Sequence, residues 1–143
     1  MTKIVPMTMA AVVAVVVASA SPATAATDDS RIVRTDPPGY CGAISFVDYG
    51  DGWPGGGNND DYVEVWDLCP DHDGVKAWVW LDGTLLHEYY NPHGVDTRVL
   101  GDPFPNGDVK KGDYVGLKVC IVDGENDPTP SACNHLSFTS QDG

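Results

Sequence analysis

The sequence predicts an all-β fold, a roughly seven-stranded antiparallel β-sandwich that is Ig-like in the broad sense and carries two disulfides. From Tyr40 onward, short runs rich in β-branched and aromatic residues alternate with clusters of Gly, Pro, Asn and Asp. These turn signals recur about every eight to twelve residues, the spacing typical of sandwiches. No window places apolar residues at helical spacing over several turns, so a helical fold is excluded.

Residues 1–25 have the layout of an export signal. Lys3 precedes an uncharged stretch rich in Ala and Val, and Ala23-Thr24-Ala25 supplies small residues at the positions that signal peptidase reads. The apolar run is shorter than the roughly 20 residues that a membrane anchor needs. We therefore expect cleavage after Ala25, or as second choice after Ala26, and a secreted product with no membrane attachment.

The mature chain is predicted to form one domain. Residues 26–39 show no sustained periodicity and end near Pro37-Pro38, so they are predicted to be a flexible N-terminal linker. Residues 40–143 are predicted to form the disulfide-stapled β-sandwich, which is near the commonest domain size. We expect it to be a monomer.

The predicted strands follow period-two patterns between turns. In 75–81, Val75, Ala77 and Val79 point to one face and form part of an aliphatic core row. Asp82-Gly83, directly after this run, predicts a two-residue hairpin turn. The strands are expected at 42–48, 62–68, 75–81, 84–90, 97–100, 114–122 and 132–138.

The chain is strongly acidic. It has 21 Asp and Glu against 8 Lys and Arg, a formal charge of −13, which becomes −14 once Lys3 is removed with the signal. Nucleic acids and anionic membranes require clustered basic residues, so neither is an expected partner.

The cysteines Cys41, Cys69, Cys120 and Cys133 of an exported chain predict two disulfides. Sequential pairing joins Cys41 to Cys69 and Cys120 to Cys133. The alternative is a bridge from Cys69 to Cys120 between sheets, as in antibody domains. That arrangement has a Tyr two residues before its second Cys, where this chain has Lys118, so sequential pairing is favoured.

Aromatic residues on two neighbouring predicted strands suggest a binding platform. Sugar rings and proline-rich chains stack on such surfaces, while polar groups at the rim form hydrogen bonds. The alternative is that the same side chains are a second half of the core or are covered by 26–39. The candidate ligand-binding residues are Tyr62, Glu64, Trp66, Lys76, Trp78 and Trp80.

The acidic, glycine-rich segment 48–61 is either a ligand loop or a solvated turn. Calcium takes six to eight oxygen ligands, and this segment has carboxylates at Asp48, Asp51, Asp60 and Asp61. It does not fit the EF-hand pattern, because the closing Glu is absent. Calcium at this loop is a hypothesis, and no other cofactor is expected.

The runs Val63-Glu64-Val65-Trp66-Asp67 and 112–120, with the late Cys133, resemble small exported actinobacterial β-domain proteins of unassigned function. The likeness covers 62–134. It implies an extracellular β-domain with disulfides and implies no activity.

No catalytic group is predicted, because the chain has no Gly-x-Ser-x-Gly elbow and no zincin motif. The first functional hypothesis is a secreted, non-catalytic binding module for an extracellular polysaccharide, the cell wall or a protein. The second is an inhibitor of a secreted enzyme that presents the loop between Cys120 and Cys133, with its Pro128-Thr129-Pro130 segment. The third is a small secreted hydrolase.

Overall fold

The computed structural model of the chain describes residues 28–37, 39–48, 61–104 and 109–141. These ranges contain eight β-strands and no helix. The predicted export signal at 1–25 lies outside the described residues. The strands are β1 (Arg31–Arg34), β2 (Gly42–Val47), β3 (Tyr62–Asp67), β4 (Gly74–Leu81), β5 (Thr84–Asn91), β6 (Thr97–Gly101), β7 (Tyr114–Val122) and β8 (Ser131–Thr139).

The strands form two antiparallel sheets packed face to face. The first sheet has the order β1-β2-β3-β6 and the second has the order β5-β4-β7-β8. The period-two alternation explains the packing, because alternate side chains of each strand point into the space between the sheets. The predicted all-β sandwich is therefore confirmed. Its core includes Ile44, Phe46, Val63 and Val65 from the first sheet and Val75, Ala77, Val79, Val115, Leu117 and Val119 from the second.

Part of the segment predicted to be a flexible linker is a strand. Arg31–Arg34 form β1, which pairs with β2 along its whole length, so the linker prediction is wrong for these residues. The sequence pattern gave no sign of the strand because β1 is a short edge strand with one buried side chain, Val33. Its neighbour Ile32 points outward and is 53% exposed, so the apolar pair has no repeat that a periodicity search can detect.

Both disulfides join strands of the same sheet. Cys41 pairs with Cys69 at the end of the β2–β3 pair, and Cys120 pairs with Cys133 across β7 and β8. Sequential pairing is thus confirmed, and the alternative Cys69–Cys120 bridge is wrong. Both bridges link segments of the chain that already pair by hydrogen bonds.

The chain crosses from one sheet to the other between β3 and β4. These strands are consecutive in the sequence, and consecutive strands usually lie side by side, yet here they belong to different sheets. The hairpin at Asp82-Gly83 forms as predicted and keeps β4 and β5 adjacent, with positive φ at both turn residues. The crossover decides which of the predicted site residues can meet.

Candidate functional site

The predicted aromatic platform is divided between two outer faces. Trp66 lies on β3 and points outward from the first sheet, whereas Trp78 and Trp80 lie on β4 and point outward from the second. The prediction that these residues form one platform is wrong, because it assumed that β3 and β4 are paired. Tyr62, at the start of β3, is only 9% exposed and offers little surface to a ligand.

Trp66 is held by two charged neighbours on the first sheet. Its indole Nε1–H donates to Glu64 Oε2 at 3.0 Å, and Glu64 Oε1 forms an ion pair with Arg98 at 2.5 Å. The Arg98 guanidinium lies 5.2 Å from the centroid of the Trp66 ring. The ring is therefore in contact with a cation and its N–H is already bonded, so Trp66 has little left to offer a ligand.

Trp78 has a related environment on the second sheet. The ammonium groups of Lys76 and Lys118 lie 5.4 Å and 4.8 Å from the Trp78 ring centroid, and Lys76 forms an ion pair with Glu88 at 2.8 Å. The pKa of Glu88 lies below its ordinary value, mainly because Lys76 hydrogen-bonds to it, and a hydrogen bond from Trp78 adds to the effect. The Trp78 ring is thus in contact with two lysines and is not a free stacking surface.

Trp80 lies beside a groove that the pairing of β4, β7 and β8 creates. In the strand register Trp80 is opposite Gly116, and Gly116 is opposite Ser137. Tyr114 and Lys118 stand two residues before and after Gly116 on the same face of β7. Gly116 therefore forms the floor, with a side chain on each of its four sides.

The groove has a volume of about 310 Å³, which is at the lower end of the range for small-molecule sites. Gly83 closes one end of it, and His135, the β8 partner of Lys118, adds an imidazole to the rim. Tyr114 is 50% exposed and leaves its ring open to solvent.

Gly116 differs from the other glycines of the strands. Gly42, Gly74 and Gly101 are each packed so tightly that an added Cβ would lie closer than 3.0 Å to a neighbouring side chain. An added Cβ at Gly116 would meet Trp80 and Ser137 at 3.4–3.7 Å, which is ordinary contact, and Gly116 does not have a positive φ. Neither backbone conformation nor close packing requires this glycine, which is itself buried beneath the groove, so a side chain at this position would reduce the space in the groove.

Several polar groups around the groove form no hydrogen bond or ion pair with the described residues. Within the described ranges, the indole N–H of Trp80 and the hydroxyl groups of Tyr114 and Ser137 form no hydrogen bond, and Lys118 forms no ion pair with a carboxylate. This is the opposite of Trp66, whose N–H is bonded to Glu64. The groove therefore combines aromatic surface with free donors and acceptors.

Sequence reasoning found Trp80 and missed the other groove residues. The signal for Tyr114, Gly116 and Lys118 was present, because they alternate with the clean apolar row Val115, Leu117 and Val119 of β7. What the sequence did not provide was the pairing of β7 with β4. The residues missed on β7 and β8 are Tyr114, Gly116, Lys118, His135 and Ser137.

Two of the carboxylates predicted to bind calcium lie in the described residues, and both accept backbone hydrogen bonds. Asp48 accepts a hydrogen bond from the N–H of Asp29, and Asp61 accepts one from the N–H of Val109. Asp51 and Asp60 lie outside the described residues, so calcium at this loop stays a prediction. Elsewhere in the described part of the chain, Cys41, Cys69 and Asp71 lie close together, and those two cysteines are bonded to each other.

The loop between β7 and β8 is held in one shape by its own side chains. Asp127 accepts hydrogen bonds from the N–H groups of Asp123 and Thr129 at 3.0 and 2.8 Å, and these bonds hold the pKa of Asp127 below its ordinary value, that from Thr129 most strongly. Lys76 donates from its Nζ to the carbonyl oxygen of Glu125 and ties the loop to β4. With the disulfide at its base, the loop is fixed at both ends and in the middle.

In the described part of the chain, no helix is long and apolar enough to cross a membrane. Comparisons of the chain with protein-family models, with curated proteins and with solved structures find no match.

Proposed function

We propose that the chain is an extracellular, non-catalytic carbohydrate-binding module whose ligand lies in the groove over Gly116, against Trp80. The observation that carries the proposal is the glycine floor beside a partly exposed tryptophan. An indole face takes the apolar face of a sugar ring, and a missing side chain beside it leaves room for the ring to approach.

The rim of the groove supports the same proposal. Sugar hydroxyls need both donors and acceptors at the edge of the stacking surface, and the groove offers the indole N–H of Trp80, the hydroxyls of Tyr114 and Ser137 and the imidazole of His135. A proline-rich peptide also stacks on aromatic residues, but it needs a longer aromatic-lined track. Here the next tryptophan on β4, Trp78, is in contact with two lysines.

Export to the outside of the cell is supported by the cysteines. Both disulfides join strands of one sheet, and such bonds persist in oxidising compartments. A leader at 1–25 fits that location. Amino-terminal sequencing of the protein recovered from culture medium, with a first residue at or next to Ala26, tests this part of the proposal.

Binding of soluble polysaccharides by affinity electrophoresis and calorimetry, with wild type and Trp80→Ala, tests the site. We expect the variant to lose at least about tenfold in affinity, or roughly 1.4 kcal/mol. Trp66→Ala is the matched control, because it removes the same side chain from the opposite face and is expected to leave affinity unchanged. Equal loss in both variants, or no binding by wild type to any polysaccharide tested, excludes the proposal.

A second candidate function is inhibition of a secreted enzyme by the loop between β7 and β8. The specific observation that favours it is the set of hydrogen bonds to Asp127, because a loop held in one shape loses little entropy on binding. Secreted proteases and amylases assayed with micromolar protein test it. Inhibition that Asp127→Ala weakens and Trp80→Ala does not would favour this function over the groove.

A further inference from the structure

The chain has 21 acidic residues, yet among the residues that the structure describes no carboxylate lines the groove. A second hollow, beside the loop between β7 and β8, shows the contrast, since its lining includes Asp73, Asp123 and Asp127.

Lys118 provides a positive charge at the groove that other residues do not neutralise. Its Nζ lies 4.8 Å from the Trp78 ring centroid, and a cation–π contact orients an ammonium without cancelling its charge. Among the described residues Lys118 has no carboxylate partner, in contrast to Lys76, which is paired with Glu88.

Two acidic residues of the β4–β5 hairpin are already engaged. Glu88 is bonded to Lys76, and Asp82 accepts the backbone N–H of Tyr114 at 2.9 Å. Neither carboxylate lines the groove. An anionic group on a ligand would therefore meet Lys118 with no carboxylate of the lining beside it.

A single lysine matches a single negative charge, because an ammonium is a compact point charge. The formal charge of −13 over the whole chain repels long polyanions, so a ligand with an acid on every unit is disfavoured. The matching ligand is a sugar chain that is mostly neutral and carries an isolated acid.

We propose that the groove selects saccharides in which a uronic acid stands among neutral sugars, an inference that rests on the proposed carbohydrate site. The carboxylate of that residue lies on Lys118, within reach of the His135 imidazole, and its ring or its neighbour stacks on Trp80. The specificity of the site thus comes from β7 and β8, and the stacking comes from β4.

Matched pairs of oligosaccharides that differ only by oxidation of one glucose C6 to a carboxylate test the inference, with the same oligosaccharide oxidised at every C6 as the fully acidic member. We expect the singly acidic member of a pair to bind roughly two- to fivefold more tightly than its neutral partner in low salt. This preference should be lost in 0.5 M NaCl, where charges are screened within a few Å. The fully oxidised oligosaccharide should bind more weakly than the singly acidic member.

Lys118→Gln should abolish the preference, so that the two members of each pair bind this variant with equal affinity. Lys118→Arg keeps the charge and should keep the preference, and Lys111→Gln is the matched charge control on the exposed turn before β7. Equal affinity for the two members of each pair, or a preference that persists in Lys118→Gln, overturns the inference and leaves the carbohydrate site standing. Absence of binding to every member, neutral and acidic, overturns both.

Discussion

The side chain of Trp80 faces the backbone of Gly116 across β4 and β7, and a Cβ built on Gly116 would lie 3.4 Å from the Cβ of Trp80. A larger residue in the middle of β7 would have its side chain in the same space as a ligand stacked on the indole. The groove therefore exists because of one residue without a side chain, in a strand where β-branched residues are otherwise favourable.

Gly116→Val should remove carbohydrate binding without unfolding the domain. The γ-methyl groups extend beyond the Cβ position into the floor of the groove, while valine suits a strand better than glycine does. We expect the affinity to fall at least about tenfold and the free energy of unfolding to stay within about 1 kcal/mol of wild type. Calorimetry with the best polysaccharide ligand and urea unfolding give the two numbers.

Gly116→Ala is the graded control for this prediction. Its single methyl group meets Trp80 and Ser137 at ordinary contact distances, so most of the affinity should remain. Full binding by Gly116→Val would mean that the ligand does not use the floor of the groove.

The two faces of each strand could be predicted from the sequence, but the pairing of the strands in the sheets could not. The alternation in β4 correctly separated Val75, Ala77 and Val79 from Trp78 and Trp80, because side chains of a strand point alternately to its two faces. The pairing of β4 with β7 instead of β3 depends on the packing of the whole sandwich. For that reason, a groove shared by three strands could not be predicted from the sequence.

The short edge strand shows the same limit. Val33 of β1 enters the core only because β1 pairs with β2, and two apolar residues between two arginines form no local pattern that marks a strand. The disulfides were easier to predict, because each joins cysteines that are consecutive along the chain.

Asn91 should be among the most sensitive polar positions of the fold. Its amide donates to the carbonyls of Val65 and Thr97 at 3.0 and 3.1 Å, and its oxygen accepts the N–H of His93, so the residue joins the end of β5 in the second sheet to β3 and β6 in the first. Because Asn91 is fully buried, Asn91→Ala leaves these groups without partners. We expect a loss of about 3 kcal/mol in urea unfolding.

Asn134→Ala is the comparison, because the Asn134 amide also donates to a backbone carbonyl, that of Arg34 at 2.9 Å, and accepts a backbone N–H, that of His135, but is only partly buried. It should cost no more than about 1 kcal/mol. Equal destabilisation by the two substitutions would contradict the role given to Asn91.

The two disulfides should differ modestly in their contribution to stability. Cys120 and Cys133 are 13 residues apart, and Cys41 and Cys69 are 28 apart, so the Cys41–Cys69 bridge closes the longer loop in the unfolded chain. The chain-entropy relation gives about 3 and about 3.5 kcal/mol. Double Cys→Ala variants of each pair, compared by urea unfolding, should both remain folded, and a larger loss for the shorter loop would show that native contacts, not loop closure, dominate.

The buried carboxylate of Asp67 should lower the free energy of unfolding at neutral pH. The residue is 1% exposed, its Oδ1 accepts the N–H of Cys69, and its Oδ2 has no hydrogen-bond partner. Burial raises its pKa above the ordinary 3.8, and the charges of Asp71 and Asp73 raise it further, while the bond from Cys69 lowers it. The folded state therefore holds this proton more tightly than the unfolded state does.

From this direction of shift, the stability that Asp67 contributes is fully present below about pH 3.8 and falls as the pH rises through the folded-state pKa. Asp67→Asn keeps the shape and cannot ionise, so it should be more stable than wild type at pH 7 by about 1 kcal/mol and should have no advantage at pH 3. Urea unfolding at both pH values measures the difference. Asp123→Asn removes one charge from an exposed site, and a gain at pH 7 as large as that of Asp67→Asn would trace the effect to net charge instead of the buried carboxyl.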